Sequence, residues 1–183
     1  LYIANKDRFD ISFREYTIKE NIEKIATELL ETGSDIIGLS ISIWNVKQTK
    51  KLVSLLKNKN PEFIIILGGP EVSYEPAFFL DTWDIDFVIS GEGEFVLGEL
   101  LDAIENNKTT VIPGISSHTY ISKTIVQADI EKLALLDSPY MLDEDNAERD
   151  NRLVYFETSR GCPYQCQYCL SSLEKGVRYF PKE

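Results

Sequence analysis

Along residues 1–110 the chain switches between two hydrophobic rhythms. The first has the period of a helix. Residues 19–32 (KENIEKIATELLET) place Ile22, Ile25, Ala26, Leu29 and Leu30 on one face, with Gly33 just past the end. Residues 46–59 repeat the pattern and stop before Pro61, and residues 94–106 carry it again. Residues 75–82 predict a short helix, and residues 1–6 the end of an earlier one. The second rhythm is that of strands. Residues 10–17 (DISFREYT) alternate, whereas 35–43 (DIIGLSISI), 63–67 (FIIIL) and 86–90 (DFVIS) are short, mostly apolar runs. Such runs, separated by helices, predict a parallel sheet covered on both faces. The expected fold class is therefore α/β, a doubly wound, flavodoxin-like parallel sheet.

In such a sheet ligands sit beyond the carboxyl ends of the strands. Here those ends carry SISIWN (40–45), GGPE (68–71) and GEGE (91–94). The candidate binding residues are Ser40, Ser42, Gly68, Gly69, Gly91 and Glu92. Small residues there let a ligand approach the backbone closely. Each also has a structural explanation. A serine caps a helix, Gly-Gly-Pro makes a βα turn, and Glu92 and Glu94 suit a helix N-terminus.

The character changes after Lys108. Residues 112–114 (IPG) break the pattern, and 117–122 with 123–128 read as a short β-hairpin. An acidic linker follows, with Asp143, Glu144, Asp145, Glu148 and Asp150. Residues 153–158 (LVYFET) predict a new strand, about 171–175 a short helix, and 177–180 part of a second strand. The expected divisions are 1–112, 113–152 and 153–183. No methionine starts the chain and its one methionine is Met141, so both ends read as cut from a longer protein.

All three cysteines fall in the stretch ETSRGCPYQCQYCLSS (157–172), as C-x3-C-x2-C: Cys162, Cys166 and Cys169. They are too close together to staple a fold, and no secretion signal precedes them, which points to a reducing cytoplasm. Three neighbouring thiolates suit one soft metal centre. Two alternatives stand beside it: a zinc site completed by His118, and thiols with no metal. The formal net charge of −11 argues against a nucleic-acid partner. No apolar run is long enough to span a membrane.

The segment RGCPYQCQYC (160–169) resembles the signature of radical S-adenosylmethionine enzymes, and 153–183 is similar to the start of their (βα) barrel. That resemblance implies that Cys162, Cys166 and Cys169 hold three irons of a [4Fe–4S] cluster. It implies that the fourth iron binds S-adenosylmethionine, with Tyr168 beside the adenine. The implied chemistry is reductive cleavage to a 5′-deoxyadenosyl radical, fed by an external electron donor, on a small-molecule substrate that stays unidentified. The elements that complete the barrel lie outside the chain, so the piece alone is expected to be inactive.

The part in front is similar to the cobalamin-binding domain that precedes a class of these proteins, the group resembling Mg-protoporphyrin-ester cyclases. DIIGLSIS, IIILGGPEVSYEP and VISGEGE carry the likeness, with Ser42 where that class usually has leucine. Its Asp-x-His-x-x-Gly element is not found here. In the strand order 2-1-3-4-5 its place, with the central first strand, would come before Leu1, which leaves a gap in the sheet. A non-catalytic corrinoid, flavin or nucleotide module, with a structural metal held by the three cysteines, is the alternative function. A third reading is a scaffold with no cofactor.

Overall fold

The computed structural model describes residues 1–108, 111–141, 153, 155–173 and 176–182. The chain forms two compact units, Leu1–Gln127 and Ala128–Glu183. The acidic residues 143–150 lie outside the described residues.

The first unit runs α1 (Tyr2–Asn5), α2 (Ile22–Glu31), β1 (Ile36–Ser40), α3 (Val46–Lys59), β2 (Ile64–Gly68), α4 (Pro76–Thr82), β3 (Phe87–Ile89), α5 (Val96–Glu105) and β4 (Ile115–Ser117). The strands form one sheet in the order β1-β2-β3-β4. β1, β2 and β3 are parallel, and β4 runs antiparallel to β3. The α/β reading of the sequence holds, with an antiparallel strand added at one edge.

Helices cover both faces of the sheet, which explains the unbroken apolar runs. On one face Ile37, Ile65, Leu67 and Val88 pack with Ile25, Leu52, Val53, Leu56, Phe79 and Leu80 of α2, α3 and α4. On the other, Ile66, Ile89 and Ile115 pack with Val96 and Leu100 of α5. β2 is inside on both sides: Ile65, Ile66 and Leu67 are all buried. Burying each such side chain contributes about 1.5–3 kcal/mol. The helix starts are locally specified. Asn21 accepts a hydrogen bond from the Lys24 amide at α2, and Pro76 stands in the first turn of α4. Among the described residues no helix is long and apolar enough to cross a membrane.

One ion pair joins the α3 side to the sheet. Lys57 Nζ lies 3.0 Å from Asp86 Oδ2, and the same oxygen accepts the Ile65 amide at 2.7 Å. The lysine side chain is 9% exposed and the aspartate 33%. Asp86→Ala strands a nearly buried ammonium and an amide together. It is expected to cost about 2 kcal/mol, the partly exposed carboxylate keeping the figure below that of a fully buried pair. Urea unfolding of the variant checks this.

Three sequence expectations change. Residues 10–17 form no strand. A strand exists only with a ladder partner, and among the described residues nothing pairs with the outer edge of β1. A cleft of about 510 Å³ separates residues 12–18 from that edge, floored by Ile22, Ile25, Leu29 and Leu52. Phe13 is held instead by an edge-to-face contact with the Tyr2 ring, centroids 5.3 Å apart. Burial first, then the neighbouring Glu28 carboxylate, raises the Tyr16 phenol above its ordinary range.

The hairpin read at 117–128 is also replaced. Of the first arm only Ser117 joins a strand, as the last residue of β4, and the chain then turns through a Ser117–Tyr120 bridge. The second arm returns to β3's end, where Val126 bridges Gly91 in parallel. Buried serine hydroxyls stitch this return: Ser116 Oγ accepts the Ser122 amide, and Ser122 Oγ accepts the Gly114 amide.

The second unit holds α6 (Ile130–Ala134), 3₁₀ turns at Pro139–Met141 and Leu170–Leu173, and strands β5 (Ser159–Cys162) and β6 (Gly176–Tyr179). The strand expected at 153–158 begins at Ser159 instead. β5 and β6 pair antiparallel. The parallel βα unit implied by the family resemblance is therefore not what residues 159–179 form. A parallel return needs a crossover of a dozen or more residues, usually helical. Between these strands the described structure has only loop and one 3₁₀ turn.

Candidate functional site

Because β1, β2 and β3 are parallel, their carboxyl ends share one edge of the first unit. The register pairs Ser40 with Gly68, and Leu67 with Val88. The turn after each strand is held by backbone hydrogen bonds to a segment distant in the sequence. Ile41 donates its amide to the Gly68 carbonyl at 2.7 Å, and Glu71 donates to the Ile41 carbonyl at 3.3 Å. At the third end the Val126 amide donates to Ser90, and the Glu92 amide to Val126.

The glycines divide into two kinds. Gly69 and Gly91 have φ of 104° and 98°, a region that side chains rarely enter. A Cβ on Gly69 would lie 2.5 Å from the Ile41 carbonyl oxygen, and one on Gly91 would overlap the Val126 carbonyl oxygen. Both are needed for the chain's own close approaches. Gly68 and Gly38 differ: a Cβ there meets nothing within 4 Å. Gly38 and Ser40 alternate along β1 and are exposed, and Gly68 is beside Ser40 in register. Gly38 pairs with Ile66, which belongs to the α5 face. The three residues thus form a bare strip on that face of the sheet, with no side chain larger than serine. A flat strip of this kind accepts a planar ring system against the backbone.

Two residues that sequence reasoning passes over shape this edge. Asn45 precedes α3 without capping it. Its Oδ1 accepts the Ser42 amide at 2.9 Å and its Nδ2 donates to the Ser40 carbonyl at 2.9 Å, clamping the turn between them. Ser73, 4% exposed, links the other two turns. An asparagine after Ser-x-Ser and a serine four places past a glycine are the signals the sequence offers. Ile43 and Trp44 stand in the clamped turn at 76% and 67% exposed.

In the second unit, Cys162 closes β5 half-buried, and Cys166 and Cys169 are exposed on the loop beyond it. The Cys169 amide donates to the Cys166 carbonyl at 3.1 Å. The Ser172 hydroxyl and amide both donate to the Cys169 carbonyl. Tyr168 is 93% exposed. All three cysteines are free thiols. Their donor chemistry fits a thiophilic centre, but among the described residues no three His, Cys, Asp or Glu are gathered closely enough to hold a metal. The structure places one at the end of β5 and two on the loop beyond it, without bringing the sulfurs together. On β5, Arg160 Nε donates to Glu157 Oε2 at 2.9 Å. His118 of the zinc alternative is held by one of its two ring nitrogens. Its Nε2 donates to the Ile85 carbonyl at 2.8 Å, so that nitrogen carries the proton.

The model of the B12 binding domain matches residues 2–101. The chain is 32% identical over 161 residues to the cobalamin-dependent radical SAM methyltransferase TokK of Streptomyces tokunonensis, covering 81% of this chain and 23% of that protein. It is 32% identical over 151 residues to the 2-(S-pantetheinyl)-carbapenam-3-carboxylate methyltransferase of Streptantibioticus cattleyicolor, covering 75% of this chain and 22% of that one. The chain therefore spans under a quarter of the length of these curated relatives. Among solved structures it shares its fold with the cobalamin-dependent S-adenosylmethionine radical enzyme OxsB, solved with aqua-cobalamin and S-adenosylmethionine bound. The TM-score is 0.65 and the identity 23%, over 87% of this chain and 23% of that one. With more than half of its residues matched by that model, the chain belongs to the B12-binding domain family.

Proposed function

We propose that residues 1–127 bind cobalamin at the carboxyl edge of the sheet, and that Cys162, Cys166 and Cys169 hold a [4Fe–4S] cluster in the same radical S-adenosylmethionine enzyme. The observation that carries the first half is the bare strip of Gly38, Ser40 and Gly68, at the edge where three consecutive turns converge. The second half is supported by the cysteine spacing and by the thiols being free. When bound, the cluster supplies the electron that splits S-adenosylmethionine, and cobalamin supplies a carrier for a methyl group.

The chain's own residues have defined parts. Gly38 and Gly68 leave room for the benzimidazole tail of the corrinoid to lie against the strands. Ser40 offers a hydroxyl to it, and the clamp by Asn45 holds Ser40 and Ser42 in place. Gly69, Gly91 and Glu92 fold the two flanking turns. Tyr168, exposed on the cysteine loop, would stack on the adenine of S-adenosylmethionine. Methyl transfer is favoured over other radical reactions because both relatives named above are methyltransferases. The reading calls for an external electron donor, a small-molecule substrate and a reducing cytoplasm, as free thiols require.

Gly68→Leu tests the strip. The space at Gly68 is open and its φ is ordinary, so the variant is expected to fold with its unfolding midpoint little changed. It is expected to bind hydroxocobalamin at least about a hundredfold more weakly, the loss of roughly 3 kcal/mol that overpacking produces. Spectral titration of wild type and variant reads this. Equal affinity in the two proteins removes the strip from the site.

A further inference from the structure

Ser73 lies between the Gly69 turn and α4, and is 4% exposed. Its hydroxyl makes two hydrogen bonds of opposite polarity. Oγ donates to the Gly69 carbonyl at 2.8 Å and accepts the Gly91 amide at 3.0 Å. Its partners belong to the turns that follow β2 and β3. Both turns have left-handed backbone at a glycine, Gly69 and Gly91. The sheet does not set their spacing, because the β2–β3 ladder ends at Leu67 and Val88, short of both glycines. Beyond that point the Ser73 hydroxyl joins one turn to the other.

We propose that Ser73 is a positioning residue of the cofactor edge. It fixes the distance between the Gly68–Gly69 turn and the Gly91–Glu92 turn, and so the width of the opening that admits the corrinoid. The proposal rests on the cobalamin reading above. Ser73 need not touch the cofactor; it acts through Gly69 and Gly91. Removing the hydroxyl leaves a partly buried amide and carbonyl without this partner, whereas threonine keeps it.

Two readouts on the whole enzyme test this. One is hydrogen exchange at the Gly91 amide; the other is spectral titration with hydroxocobalamin. Ser73→Ala is expected to speed Gly91 exchange about tenfold and weaken hydroxocobalamin binding about tenfold, the loss of one buried hydrogen-bonded link. Ser73→Thr is expected to restore both to within about threefold. If the threonine methyl crowds the site and unfolds the protein, Ser73→Cys replaces it, with values between alanine and wild type. Unchanged Gly91 exchange in Ser73→Ala overturns the tether. Faster exchange with unchanged corrinoid affinity overturns its positioning role. A wild-type protein that binds no hydroxocobalamin overturns the cofactor reading and that role together, while the exchange comparison still judges the tether by itself.

Discussion

Cys166→Ala is expected to strip the enzyme of its iron and lower S-adenosylmethionine cleavage by at least about a thousandfold. A four-iron cluster is held by cysteine thiolates, and the proposed site has three to offer. Removing the middle one leaves Cys162 and Cys169, separated by the exposed stretch 163–168, to hold a cluster that already lacks a fourth protein ligand. The effect of losing a ligand outright exceeds the 10–100-fold typical of losing a group that merely orients a ligand. Iron and sulfide analysis after anaerobic reconstitution measures it. The companion His118→Ala is expected to leave metal content unchanged, because the proposed cluster draws on the three cysteines and not on His118. Full iron content in Cys166→Ala removes that cysteine from the site and contradicts the cluster, whereas zinc binding lost with His118 favours the structural-zinc alternative.

Gly91→Ala is expected to be the most damaging single methyl in the first unit. A Cβ there overlaps the Val126 carbonyl oxygen and lies 2.7 Å from the Val126 nitrogen. These are backbone atoms with no rotamer to escape into. The left-handed conformation adds about 1–2 kcal/mol for any L side chain, and overpacking about 1–3 kcal/mol. The Glu92–Val126 and Val126–Ser90 hydrogen bonds are strained as well. A total near 3 kcal/mol lowers the unfolding midpoint by about 10 °C. Thermal unfolding reads that loss, and hydroxocobalamin titration reads the displaced turn. The contrast with Gly68→Leu is informative: one glycine serves the fold, the other leaves space for a ligand. A Gly91→Ala protein as stable as wild type refutes the close approach.

Much of this is visible in the residues, and what they hide has physical causes. The helices 22–31, 46–59 and 96–105 follow from amphipathic periodicity, which is local. The apolar runs at β1, β2 and β3 follow from burial on both faces. Residues 10–17 carry a strand's alternation, but a pattern cannot supply the ladder partner that makes a strand. The return of residues 123–126 to Gly91 reads as a hairpin in the sequence because parallel pairing across the β3 end is non-local. The cysteine spacing is explicit, yet among the described residues the chain by itself does not gather the sulfurs. Gly69 and Gly91 stand out in the sequence as special. Their reason is an approach to Ile41 and Val126, which only three-dimensional packing reveals. Asn45 and Ser73 stay hidden because a polar residue near a helix start reads as a cap.

The central claim is that one enzyme carries a corrinoid at the sheet edge and an iron–sulfur cluster on the cysteine loop. Metal analysis of that enzyme, reconstituted anaerobically with iron, sulfide and hydroxocobalamin and then desalted, tests it most directly. The expected result is about one cobalt and about four irons per chain, as cobalamin and a [4Fe–4S] cluster require. Stoichiometric zinc, with neither cobalt nor iron retained, contradicts it.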